Sequence, residues 1–137
     1  MDFKVSHCFL LVDDHEKALA FYRDTLGLKV TTDVSFEGSR WVTVSPPSQP
    51  ELQITIETVE SHVGASDEDK QRESDLLAKG LMRGVIFATD DVDAAFEHIR
   101  ASGAEVLQEP IDQAYGVRDC AFRDPAGNMI RFNQATA

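Results

Sequence analysis

The sequence predicts an α+β fold made of two βαβββ modules, and three observations carry that prediction. The chain repeats its own punctuation, an Asp-Asp pair opens a helical pattern in each half, and each helical pattern stops at a glycine before three strand-like runs. Val12-Asp13-Asp14 answers Thr89-Asp90-Asp91, and Gly27 answers Gly103. Gly38-Ser39-Arg40 answers Gly116-Val117-Arg118, Pro47 answers Pro125, and Leu52-Gln53-Ile54 answers Ile130-Arg131-Phe132.

Residues 5–12 form the first apolar run. Residues 15–26 then repeat Leu19, Tyr22 and Leu26 at spacings of three and four, the stripe of a helix packed on one side. Strand-like runs follow at residues 29–35, 41–45 and 52–57, separated by Glu37-Gly38-Ser39 and by Pro46-Pro47-Ser48-Gln49-Pro50. The second half begins with a strand at residues 85–89 and a helix carrying Val92, Ala95, Phe96 and Ile99. Strands at 104–107, 117–122 and 129–133 complete it, with Asp124-Pro125-Ala126-Gly127-Asn128 as the last turn and Gly127 suited to a positive φ. One domain results: residues 1–57 are the first module and residues 83–137 the second. Residues 58–82 form a linker with a short polar helix over 67–78, closed by Gly80, that serves as a surface spacer or a lid.

Composition bounds the function. With 137 residues, 42% hydrophobic and 27% charged, the chain can bury a core without disulfides or metal. A net charge of −11 without a basic stripe argues against nucleic acid, although it does not set the sign of a pocket. No apolar run is long enough to span a bilayer, so no membrane partner is expected. Met1-Asp2-Phe3-Lys4 lacks the basic and apolar regions of an export signal, and Cys8 and Cys120 form neither a disulfide scaffold nor a CxxC motif. A reducing, cytoplasmic setting is the expectation. HExxH fails at Leu19, and no P-loop, GxGxxG or GxSxG is present.

Three stretches carry a resemblance. His7-Cys8-Phe9-Leu10-Leu11-Val12-Asp13-Asp14, with Ala18-Leu19-Ala20-Phe21-Tyr22 and Leu26-Gly27-Leu28, resembles the opening of vicinal-oxygen-chelate (VOC) proteins. That superfamily includes glyoxalase I, extradiol dioxygenases, fosfomycin-resistance enzymes and bleomycin-binding proteins. Phe122-Arg123-Asp124-Pro125-Ala126-Gly127-Asn128-Met129-Ile130 resembles its second signature, and Thr89-Asp90-Asp91-Val92-Asp93-Ala94-Ala95 a third. The resemblance implies two curved mixed sheets around a cavity, helices outside, and commonly a homodimer.

It also implies four inward strand positions that hold a divalent metal in the enzymes of the superfamily. This chain places His7, Gln53, Gly84 and Arg131 there. Glycine supplies no ligand, and a guanidinium is a cation without an acceptor. One imidazole and one amide make a poor site for a metal that usually takes three protein ligands. The expectation is therefore no metal cofactor. His7 is either a hydrogen-bonded structural histidine or a ligand-facing group. Arg131 either pairs with an acidic neighbour or receives a carboxylate, phosphate or enolate. Trp41 lines the cavity or fills a dimer core, and Tyr115 and Arg118 close the pocket mouth or form a turn and a surface ion pair. Asp119 alternates with Arg118, but nothing in the sequence marks it as a base.

The leading expectation is a metal-independent small-molecule-binding protein of the bleomycin-resistance type, with His7, Trp41, Gln53, Tyr115, Arg118 and Arg131 around the ligand, and no catalysis. The alternative is a metal-dependent glyoxalase-like lyase or extradiol dioxygenase that takes ligands from His62 or Glu57 of the linker, or from a partner subunit.

Overall fold

The computed structural model describes residues 1–135. Residues 136 and 137, which close the second module in the sequence reading, lie outside the described residues. The first module holds β1 (His7–Leu11), α1 (His15–Leu19), β2 (Lys29–Phe36), β3 (Ser39–Ser45) and β4 (Gln53–Glu57). The linker holds α2 (Asp67–Ala78). The second module holds β5 (Arg83–Ala88), α3 (Val92–Ala101), β6 (Glu105–Asp112), β7 (Val117–Arg123) and β8 (Met129–Ala135).

Each module is a four-stranded mixed sheet, in the orders β1-β4-β3-β2 and β5-β8-β7-β6. The first and last strands of each module run parallel, so the chain must cross over between them, and α1 and α3 begin those crossovers. The Asp-Asp pairs start both helices by one device. The side chains of Asp14 and Asp91, each in extended backbone, accept from the Lys17 and Ala94 N–H groups at 3.1 and 3.0 Å.

The first helix departs from the regular helix expected over residues 15–26. After Leu19 it widens into a π-turn at Ala20–Thr25. The stretch from Asp14 to Gly27 is one residue longer than that from Asp91 to Gly103, and the wider turn absorbs the extra residue. Phe21 and Tyr22, both buried, sit inside it with their rings edge to face at 4.9 Å.

Strand alternation sorts the side chains. Leu10, Val12, Val42, Val44, Ile54 and Ile56 are all buried and pack with Ala18 and Leu19 of α1. In the second module Cys120, Phe122, Ile130 and Phe132 do the same with Val92, Phe96 and Ile99, and the Phe96 and Phe122 rings stand 5.3 Å apart. Each such side chain contributes about 1.5–3 kcal/mol by leaving water. Residues of the opposite parity point to the face that carries no helix.

Polar links fasten the modules together. The Tyr22 hydroxyl donates to Asp124 Oδ2, Asn128 Nδ2 donates to the Leu11 carbonyl at 2.7 Å, and His98 Nε2 donates to the Thr25 carbonyl at 2.8 Å. The linker helix docks through buried Leu77, whose carbonyl lies against Gly127. Gly127 has φ of 114°, and a β-carbon there would strike that carbonyl. Among the described residues no helix is long and apolar enough to cross a membrane.

Candidate functional site

The helix-free faces of the two sheets carry the candidate residues, and strand pairing fixes their neighbours. On the first sheet His7 pairs with Gln53, Phe9 with Thr55, Thr43 with Thr55, and Val34 with Trp41. His7 is exposed, and its Nδ1 lies 3.0 Å from the Ser6 hydroxyl. Gln53 Oε1 accepts from the Thr43 hydroxyl at 3.0 Å and the Thr31 hydroxyl at 3.3 Å. Thr55, 1% exposed, has a buried hydroxyl with no hydrogen-bond partner among the described residues. A buried, unmatched hydroxyl costs free energy unless something outside the chain pairs with it. Phe9 and Trp41 stand around this polar centre at 65% and 44% exposure.

The second sheet presents a charged counterpart. Asp119 is 1% exposed and is the hub of the face. Its Oδ1 accepts from Gln108 Nε2 at 2.7 Å and Gln113 Nε2 at 2.9 Å, and its Oδ2 from the Tyr115 hydroxyl at 3.2 Å. Arg131 Nη1 completes the shell, 3.2 Å from Asp119 Oδ2 and donating to Gln108 Oε1 at 2.9 Å. Burial pushes the Asp119 carboxyl up. The bonds from Gln113 and Gln108, the Arg131 charge and the Tyr115 hydroxyl outweigh that and hold it below the usual carboxylate range. Burial and the nearby Asp119 charge raise the Tyr115 hydroxyl, which keeps it a donor.

Pairing register corrects the sequence reading in two places. Val12 N–H donates to the Glu57 carbonyl as Thr89 N–H donates to that of Asn133, while Ile56 pairs with Val42 as Phe132 pairs with Cys120. The counterpart of Arg131 is therefore Thr55, two residues beyond Gln53. The second correction concerns position 84. A β-bulge lies between the Arg83–Met129 and Ile86–Arg131 pairs, so Arg83 stands beside Met129 as His7 stands beside Gln53. Gly84 turns inward, where a β-carbon would collide with Ile130 Cδ1 and approach Leu10 Cδ1 to 3.2 Å.

For Arg118 the structure shows the ion-pair alternative. The side chain does not reach the helix-free face. Its guanidinium binds Asp93 of α3 and Asp112 of β6 at 2.9 and 3.3 Å on the helix side. Arg40 repeats this arrangement in the first module, binding Glu16 of α1 and Asp33 of β2 at 2.6 and 2.8 Å. The predicted residues thus fall into separate groups. His7, Trp41 and Gln53 share one sheet face, Tyr115 and Arg131 the other, and Arg118 neither. Arg83, Gln108 and Gln113 are not legible as site residues in the sequence. Strand parity does point Thr55 inward with Gln53 and set Asp119 opposite Arg118, but it gives no sign of the hydrogen-bond hub at Asp119. Nothing in the sequence announces the bulge that brings Arg83 round.

Each βαβββ module thus carries its helix on one side of its sheet and leaves a face with a polar centre open on the other. The Glyoxalase/Bleomycin resistance protein/Dioxygenase superfamily matches residues 4–132, and the chain belongs to that family. The crystal structure of UcmS2 is 31% identical in sequence with a TM-score of 0.88, covering 97% of this chain and 98% of that one. TnmS3, an antibiotic binding protein from Streptomyces sp. CB03234, is 28% identical with a TM-score of 0.75, covering 98% and 97%. YurT, an uncharacterized protein of Bacillus subtilis (strain 168), is 29% identical over 126 residues, which are 91% of this chain and 94% of that protein.

Proposed function

We propose that the protein binds a small amphipathic or aromatic molecule on its helix-free faces, without catalysis and without a resident divalent metal. The observation that carries the reading is the buried, unpartnered Thr55 hydroxyl set among exposed Phe9 and Trp41. Ligand sites commonly combine a mostly apolar lining with a few directed polar groups. Likeness to an antibiotic binding protein along nearly the whole chain supports the same reading.

The residues present do not fit a divalent metal. His7 and Gln53 are adjacent, but the second module offers Arg83 and Arg131 in place of two more ligands. Two guanidiniums repel a cation, and neither has a lone pair to give. His62 and Glu57 do not supply the deficit. His62 is held between Glu73 and Glu57 at 2.7 and 3.3 Å, and among the described residues no cluster of three or more His, Cys, Asp or Glu side chains is arranged to hold an ion.

The binding unit is a homodimer in this reading. Val34, Phe9, Trp41 and Ile86 leave large apolar areas open on the two sheet faces, and a second copy laid across them would enclose the ligand. The acidic charge and the free thiols Cys8 and Cys120 fit a cytoplasmic protein that does not bind nucleic acid.

Trp41 is the sole tryptophan, so its fluorescence reports the face directly. Titration with a panel of aromatic and amphipathic compounds is expected to give saturable quenching by at least one member, abolished when Thr55→Val and Phe9→Ala are combined. A panel that leaves the emission and the melting temperature unmoved overturns the reading. Sedimentation of a monomer at micromolar concentration, with and without bound compound, overturns the dimer.

A further inference from the structure

Resting on the small-molecule-binding reading above, we infer that the second sheet face recognises a singly charged organic acid, with Arg83 receiving its carboxylate. A cavity of about 310 Å³ opens there, lined among others by Arg83, Ile86, Gln113, Tyr115, Met129 and Arg131. That volume suits the acidic end of a molecule and not a whole large ligand.

Charge decides the class. The chain carries −11 overall, yet this cavity has two guanidiniums and one carboxylate, Asp119, behind its wall. Asp119 neutralises Arg131. Arg83 is exposed, and among the described residues no hydrogen bond or ion pair engages its guanidinium. One positive charge is left over, which matches a monoanion and not a dianion or a cation. The long-range field of an acidic protein repels anions, so a local surplus of positive charge marks the place where one is accepted.

Geometry narrows the anion to a planar one on an apolar body. A guanidinium fork matches the two oxygens of a carboxylate. Arg131 contributes a second edge, since its Nη2 faces only the Met129 sulfur at 3.8 Å, a weak acceptor. Ile86, 63% exposed, and Met129 supply the apolar walls beside these donors. The Tyr115 hydroxyl is committed to Asp119, which leaves its exposed ring to cover the ligand. The bulge is what puts Arg83 here. In an unbulged strand Gly84 would face outward and Arg83 would turn towards the helices.

The test compares 2-naphthoate with its uncharged isostere 2-naphthamide, read by amide chemical shifts of the full chain, in wild type, Arg83→Met and Arg83→Lys. Wild type is expected to bind the acid about tenfold or more tightly than the amide, with shifts at residues 83–86 and 129–131. Arg83→Met is expected to erase that preference, and Arg83→Lys, which keeps the charge, to retain part of it. Inorganic phosphate is expected to compete weakly. Equal binding of acid and amide to wild type overturns the proposal but leaves the small-molecule reading standing. A preference that survives in Arg83→Met also overturns it. Failure of both compounds, while other aromatics still quench Trp41, overturns it alone; failure of every compound overturns both readings.

Discussion

The Tyr22 hydroxyl lies 2.6 Å from Asp124 Oδ2, joining the π-turn of the first module to the last hairpin of the second across 102 residues of sequence. Both side chains are buried. Asp124 Oδ1 also accepts the N–H groups of Ala126, Gly127 and Asn128, so one carboxylate holds the turn and the module contact together. Burial and the Asp124 charge push the Tyr22 hydroxyl far up, and it stays protonated at any working pH. Tyr22→Phe is expected to lower unfolding stability by about 1–3 kcal/mol, because a buried acceptor loses its donor. Asp124→Ala should cost more, since it strips the Ala126 and Asn128 N–H groups of their acceptor and leaves Gly127 N–H only the Asp124 carbonyl. Urea denaturation midpoints measure both, and an unchanged midpoint for Tyr22→Phe would show the link to be idle.

The Asp119 hub should behave as a buried ion pair that has lost one member. Asp119→Ala strips the acceptor from Arg131, Gln108, Gln113 and Tyr115 and is expected to destabilise by about 3 kcal/mol. Its folded pKa is depressed, so its contribution is present above the ordinary aspartate value and falls away as pH drops through the folded one. Stability of wild type should therefore decline below pH of about 4 more steeply than that of Asp119→Asn.

The linker helix should loosen in alkali. Both ring nitrogens of His62 face carboxylates, which only accept, so the protonated imidazolium satisfies both. Bonds to Glu73 and then Glu57 raise its pKa. The sign follows: the stabilisation is complete below about pH 6.5 and is lost as pH rises through the elevated folded value. Hydrogen exchange of the Asp67–Ala78 amides should accelerate beyond the intrinsic rate as pH rises through the elevated His62 value. His62→Gln should flatten that dependence, and a flat wild-type profile would refute it.

Gly84→Ala should be costly although alanine is small. The new methyl group meets Ile130 Cδ1 and Leu10 Cδ1 in the core, and overpacking of this kind costs about 1–3 kcal/mol. Differential scanning calorimetry reads the loss. Gly84→His should fold less well still, and should not gain stoichiometric zinc, because its imidazole would start from the core side of the bulge.

Arg118→Ala, by contrast, should leave ligand titrations unmoved and shift the urea midpoint little, as expected for exposed ion pairs with Asp93 and Asp112. A change in ligand affinity would return Arg118 to the binding face.

The repeat made the fold legible, because the Asp-Asp starts, glycine stops and strand parity all recur in one order. Parity also placed Trp41, Gln53 and Arg131 on the helix-free face, since their neighbours Val42, Ile54 and Ile130 are core residues. On β7 the same alternation sets Arg118 on the helix side with Cys120 and Phe122, and Asp119 on the other. What parity cannot register is an inserted residue. The bulge at residues 83–86 and the π-turn at Ala20–Thr25 each add one, and each is visible only when partner strands or helix lengths are compared in space. The charge hub at Asp119 is hidden for another reason: its donors come from β6, β8 and the turn before β7, and only strand pairing brings them to one carboxylate.

The paired arginines have a consequence beyond holding strands to helices. Arg40 with Glu16 and Asp33, and Arg118 with Asp93 and Asp112, repeat one another on the helix side. On the opposite side, three positions across the duplication have drifted apart: His7 against Arg83, Trp41 against Asp119, Thr55 against Arg131. The molecule is a chassis built twice from one blueprint, fitted with two different tools. New chemistry can be tried on either exterior while the half that assembles the sheet is left untouched.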